Sequence, residues 1–213
     1  MGSLKNLPLD QTFEQLEIPN GAQLVLLGQK SFTWDLNYKG SNIQLLNNSL
    51  TANKKYEIDY ETVLGTIGFN SGNGGHSRHY WEIKLDTFVD MEDIYVGIAR
   101  RNVDLHMRAW DTGSFWGWIC AGGRKFCPAQ ASAQIQEYGG FSKINDTIGV
   151  LLEFKDGLGS LTFYNNQKSL GTAFEGIPPG TYYPAVCLYY GEVQVTLNSR
   201  AKIPSQDGAG ANK

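Results

Sequence analysis

The chain has 213 residues, a formal net charge of −3 and 41% hydrophobic side chains. That suits one domain with a substantial core and excludes a disordered chain. No apolar run approaches the ~20 residues of a membrane helix, and the acidic balance argues against a nucleic-acid binder held through phosphates.

Residues 1–20 read as an N-terminal arm or short helix packing on the domain, with Leu4, Leu7, Leu9, Phe13, Leu16 and Ile18 as its apolar contacts. Met1–Asp10 has no apolar stretch of the signal-peptide kind. The domain itself spans residues 21–203. Strands are expected at Gln23–Leu27, Ser31–Trp34, Asn42–Leu46 and Leu64–Phe69. In Tyr80–Asp86, Trp81, Ile83 and Leu85 alternate with polar residues, as a half-buried strand requires. Ile94–Ala99 is apolar on both sides, so a strand covered on both faces is expected. Trp116 and Trp118 flank a glycine at strand period, and at least one of them belongs in a core. Arg124–Ser142, with Pro128 and Gly139-Gly140, reads as a long loop. Thr147–Phe154 is a second doubly covered strand. Asp156-Gly157-Leu158-Gly159 then turns the chain into Ser160–Tyr164. Lys168–Phe174, Tyr183–Leu188 and Glu192–Leu197 complete the series, and residues 204–213 form a small, polar, flexible tail.

About a dozen short strands without helical crossovers imply an all-β antiparallel sandwich of two sheets. Glycine at 25 of 213 residues, above the ~7% average, supplies the turns. The three cysteines, Cys120, Cys127 and Cys187, are too few for a disulfide framework and read as reduced thiols in an intracellular, cytoplasmic protein. Cys120 and Cys127 are best taken as small buried hydrophobes.

Chemistry is not indicated. The histidines are His76, His79 and His106. His76 and His79, three apart on a strand, point to opposite faces. Gly72–Gly75 precedes a strand, whereas a phosphate cradle needs a helix N-terminus. Arg100, Arg101, His106 and Arg108, offset by Asp104 and Asp111, read as a solvated basic loop. The expectation is therefore no enzyme, no cofactor and no metal. Contact residues are easier to name. Tyr189-Tyr190-Gly191 puts two amphipathic rings at a turn, Trp110 sits among polar residues, and Lys54, Lys55 and Tyr56 add donors. Against this, one tyrosine could be core and Trp110 could plug a gap.

Four segments, in order, resemble the SPRY domain family: Gly75–Ile83 with its His-Tyr-Trp-Glu-Ile run; Val96-Gly97-Ile98-Ala99; Trp116-Gly117-Trp118; and a C-terminal block running from Asp146 through Leu161–Asn166 and Leu170–Phe174 to Tyr183–Val186. Relatives often carry Asp at the position of Glu153 and Asn-Gly where Asn165-Asn166 stands, and the second change still permits a tight turn. The resemblance implies a bent, concanavalin-like jelly roll that serves as a non-enzymatic interaction module. Its partner would be a protein or short peptide, bound with no nucleic acid or membrane, by a monomer, in a substrate-recognition or adaptor role. It also places the partner on one face built from Asn53–Tyr60, Asn70–Gly75, Arg101–Thr112 and Tyr189–Gly191. The candidate contact residues are then Lys55, Tyr56, Asn70, Asn73, Arg101, Trp110, Tyr189, Tyr190 and Gly191. A carbohydrate-binding, lectin-like domain is the alternative, although calcium-dependent lectin sites need clustered oxygen ligands that this sequence does not display.

Overall fold

Where the described residues alternate with period two, as in Tyr80–Asp86 and Val193–Leu197, the chain forms strand. The structure, a computed structural model, describes residues 31–55, 58–72, 75–90, 94–128 and 134–205. The expected N-terminal arm and the strand Gln23–Leu27 lie outside the described residues, as does the tail from residue 206. Strands are numbered in chain order. One sheet contains β1 (Trp34–Lys39), β4 (Glu61–Gly65), β5 (Phe69–Asn70), β7 (Ile94–Ala99), β8 (Phe115–Ile119), β9 (Arg124–Cys127), β10 (Gln134–Glu137) and β14 (Thr181–Leu188). Their order is β1-β4-β14-β7-β8-β9-β10, with β5 pairing β14. The other sheet contains β2 (Ile43–Leu46), β3 (Thr51–Lys54), β6 (His76–Thr87), β11 (Thr147–Lys155), β12 (Leu158–Asn165), β13 (Lys168–Ile177) and β15 (Val193–Asn198), ordered β13-β12-β11-β6-β15-β3-β2. The pairings are antiparallel, as at β6–β11 and β7–β14, so the fold is the expected two-sheet sandwich.

The interlayer core is filled from both sheets. Trp81, Ile83 and Leu85 of β6 meet Val96 and Ile98 of β7, and Trp34, Trp116 and Trp118 share that layer. The doubly covered strands have a physical cause. Tyr95 and Ala99 of β7 face outward into a second apolar cluster with Leu64, Phe115, Phe126 and Ala185, packed with residues of the loop after β7. On the far side of the other sheet, Leu151 packs with Tyr80, Tyr164 and Ala201. Gly97 is required by close approach, because a Cβ there would lie 2.0 Å from the Trp116 carbonyl oxygen across the β7–β8 pair.

Several expected boundaries shift. Residues 31–33 are not strand, and Leu64–Phe69 splits into β4 and β5. Thr66 N–H leaves the ladder to bond the Thr33 carbonyl at 2.8 Å. The Arg124–Ser142 loop contains the paired strands β9 and β10. They lie at the sheet edge, so Phe126 is the one residue of β9 that is fully buried and no apolar alternation marks them. β3, with the sequence Thr-Ala-Asn-Lys, also lacks a strand signature, yet it lies between β2 and β15 with Thr51, Ala52 and Lys54 buried. The hairpin turn is Asp156-Gly157 alone, both at positive φ (51° and 84°), joining Lys155 to its partner Leu158. Likewise the next turn is Asn166-Gln167 (φ 48° and 68°), one residue beyond the expected pair. Cys120 and Cys187 are buried and Cys127 is half-buried. His79 stacks on Phe69 at 4.2 Å, while His76 Nε2 lies 3.5 Å from Glu153.

Candidate functional site

β14 ends at Leu188, opposite Ile94 at the start of β7. The chain then turns through Tyr189-Tyr190-Gly191 and enters β15 in the other sheet, so this turn bridges the two layers at one end of the sandwich. Tyr189 stacks on Tyr60 with ring centroids 4.2 Å apart and planes 20° apart. Tyr190 meets Tyr189 edge-on at 4.7 Å and packs against the interlayer core. Tyr60 in turn contacts Tyr95 at 5.7 Å, and Tyr95 contacts Trp110 at 5.7 Å. The Arg108 guanidinium lies 4.1 Å from the Trp110 ring and 5.7 Å from Tyr60, and its Nε donates to Asp111 at 2.9 Å. Tyr60, Trp110, Tyr189 and Tyr190 are all partly exposed. The result is a continuous aromatic platform, rigid because each ring is held by another ring or a cation.

Buried charge fixes that platform from beneath. Lys54 is fully buried and its Nζ lies 2.5 Å from Asp59 Oδ1, so it anchors the residue before Tyr60 and is not a surface donor. Glu61, on the other side of Tyr60, is fully buried. It accepts from Asn42 N–H at 2.8 Å and the Ser41 hydroxyl at 3.1 Å, and it lies 3.5 Å from His106 Nδ1. The loop carrying Arg108 and Trp110 is tied down by Thr62 N–H, which donates to Leu105 O at 2.8 Å. Hence the loop expected to be a solvated basic segment is a fixed cover. Arg101 and Arg108 are paired or stacked, Arg100 is stacked on aromatic rings, and His106 faces Glu61.

A cleft of about 470 Å³ opens beside the same turn, next to β3, β6 and β15, and is lined by Phe88, Val89 and Ile144 together with Asn53, Thr87 and Gln194. Lys55 and Glu192 flank it, and Thr87 Oγ1 donates to Glu192 O at 2.7 Å. Val89 is 75% exposed and Ile144 48%, leaving large apolar surface beside the cleft.

Of the residues expected at one face, Lys55, Trp110, Tyr189, Tyr190 and Gly191 do gather at this end. Asn70 does not. It sits on β5 opposite Thr181, at the other end of β14, about 23 Å away at ~3.3 Å per strand residue. Its side chain is spent locally, donating to Thr181 Oγ1 at 2.7 Å and accepting from Gly72 N–H at 2.8 Å. Arg101 follows the β7 end that pairs with Tyr183, ion-pairs with Asp35 at 2.9 Å and lies 3.1 Å from the Tyr38 ring. Tyr56 and Asn73 lie outside the described residues. Sequence reasoning reached Tyr60 and Arg108 only as members of the segments Asn53–Tyr60 and Arg101–Thr112, and did not single out Phe88, Val89 and Ile144. For Tyr60 and Arg108 the available signal was the concentration of aromatic and basic residues in those loop segments, whereas Phe88, Val89 and Ile144 carried no such signal.

The SPRY domain family model matches residues 78–200, more than half the chain, and the chain belongs to this family of interaction modules. It is 27% identical over 138 residues to the F-box/SPRY domain-containing protein 1 of Mus musculus, covering 62% of this chain and 46% of that protein. Against the Drosophila erecta protein of the same name it is 24% identical over 172 residues, covering 77% and 64%. The chain thus spans about half to two thirds of these curated relatives. The SPRY domain of human HERC1 superposes with a TM-score of 0.64 at 17% identity, covering 79% of this chain and 99% of that one. The TRIM65 PSpry domain gives 0.56 at 18% identity, covering 79% and 92%. These likenesses establish the jelly-roll fold, and family membership carries a protein-binding role. Among the described residues no helix is long and apolar enough to cross a membrane.

Proposed function

We propose that this chain binds a short extended segment of a protein partner at the end of the sandwich formed by the Tyr189–Gly191 turn. The segment lies over Tyr60, Tyr189 and Trp110 and sets an apolar side chain into the cleft beside Val89 and Ile144. The observation that carries this reading is the Tyr60–Tyr189 stack. It presents large ring area already ordered before binding, so little conformational entropy is lost on association. Asn70 and Arg101, engaged with their own neighbours at the opposite end, are left out of this contact set.

An adaptor role, with this domain choosing what another module processes, agrees with relatives that carry an F-box beside the SPRY domain, and it remains a separate proposal. The test is a displayed library of random peptides selected on this chain, followed by calorimetry with Tyr189→Ala and Lys55→Glu variants. A loss of about tenfold or more for Tyr189→Ala supports the assignment. Selected peptides that bind both variants as tightly as the parent place the contact elsewhere.

A further inference from the structure

Arg100 and Arg101 are neighbours with identical side chains in opposite surroundings. Arg101 turns to the outer face of its sheet, where Asp35 accepts from Nη2 at 2.9 Å and Tyr38 and Tyr183 lie beneath the guanidinium. Arg100 turns to the inner side, at the end of the interlayer core. It too has aromatic support, 5.6 Å from the Tyr182 ring and 5.9 Å from Trp116. Nη2 donates to the Tyr182 hydroxyl at 3.3 Å, and that hydroxyl donates onward to Pro178 O at 2.6 Å.

What Arg100 lacks is an acid. No described carboxylate pairs with it, and its Nε is shut away from solvent with no acceptor. The side chain remains partly exposed, and Nη1, bonded to no described group, keeps its access to solvent. The Tyr182 hydrogen bond and two ring contacts restrain the guanidinium, so its outer edge is oriented before any ligand arrives. An oriented, incompletely bonded guanidinium selects carboxylate geometry.

We propose that Arg100 is a carboxylate-recognition point at the β5 end of the sandwich, taking an acidic side chain or a chain-terminal carboxylate of a partner protein. This site lies at the far end of β14 from the tyrosine platform, and it stands or falls independently of the function proposed above.

The test follows the Arg100 Nε–Hε and Trp116 indole NMR signals at constant ionic strength. Three probes are titrated into the full chain: N-acetyl-aspartate methylamide, N-acetylglycylglycine and N-acetyl-asparagine methylamide. They present a side-chain carboxylate, a terminal carboxylate and a neutral isostere. The expected result is a saturable displacement by at least one carboxylate, about tenfold weaker with the neutral compound and absent in Arg100→Gln. Whichever carboxylate binds more tightly identifies the source. Arg100→Lys keeps the charge without the fork and is expected to weaken binding about fivefold, which also serves if the Gln variant does not fold. Equal response to the neutral isostere, a linear response without saturation, or undiminished binding by the Gln variant overturns the proposal.

Discussion

Replacing Tyr189 by Ala separates two properties that the tyrosine pair combines. The ring makes a stacked contact with Tyr60 at 4.2 Å and an edge contact with Tyr190 at 4.7 Å. Each aromatic pair is worth about 0.5–1.5 kcal/mol beyond area burial. With the ring partly exposed, a total near 1–2 kcal/mol is expected, or a Tm reduction of roughly 2–8 °C at 2–4 °C per kcal/mol for a domain of this size. Tyr190→Ala is the more damaging change for stability, because that ring also packs against the interlayer core. For binding the order reverses, since Tyr190 is held against the core while Tyr189 belongs to the platform with Tyr60, and loss of a central anchor costs about 2 kcal/mol, some 30-fold in Kd. Tyr189→Phe keeps the stack and should leave Tm unchanged. Differential scanning calorimetry and titration of a selected peptide measure both effects. A Tm for Tyr189→Ala within 1 °C of the parent would refute the claim that the platform is ordered before the partner arrives.

Other expectations concern the scaffold. Gly97→Ala forces a Cβ to 2.0 Å from the Trp116 carbonyl, where ordinary contact begins at 3.4 Å. The obstacle is backbone, so the β7–β8 pair must part, and denaturant unfolding should show a loss of about 3 kcal/mol, the upper end for overpacking; a loss under 1 kcal/mol would contradict the close approach. Gln167→Gly relieves a side chain held at φ 68° and should raise stability by about 0.5–1 kcal/mol, net of the greater chain entropy of glycine; a lower Tm would contradict it. Asp146 is partly desolvated, which by itself raises its pKa. Hydrogen bonds from Asn166, Lys143 N–H and Asn165 outweigh this and leave it below the ordinary aspartate value. Its contribution is thus complete above that value and is lost as pH falls through it toward the folded-state pKa. Asp146→Asn should therefore flatten the dependence of urea midpoint on pH between about 5 and 3, and an unchanged slope would exclude Asp146 from the acid transition.

The legible parts of this protein were those in which each residue's neighbours in sequence are also its neighbours in effect. Trp81, Ile83 and Leu85 announce a core-facing strand through their spacing, and the apolar runs at β7 and β11 announce strands covered on both faces. Where polar composition hid a strand, as in β3 and the β9–β10 pair, hydrogen bonding to a flanking strand decided the matter. The Tyr189–Gly191 turn and Trp110 were readable as candidate contacts because large amphipathic rings stood where strands end.

Residue order alone was therefore sufficient for the sandwich, its strand-rich class and a short roster of surface aromatics, since alternation and turn chemistry are local properties of the chain. Only the tertiary structure decided which of those residues stand together. The pairing of Tyr60 with Tyr189, 129 positions later, the burial of Lys54 beneath Asp59, and the separation of Asn70 and Arg101 from the tyrosines all follow from sheet order and strand length. Distance across a sheet is set by which strands hydrogen-bond to which, and no local pattern of side chains encodes that.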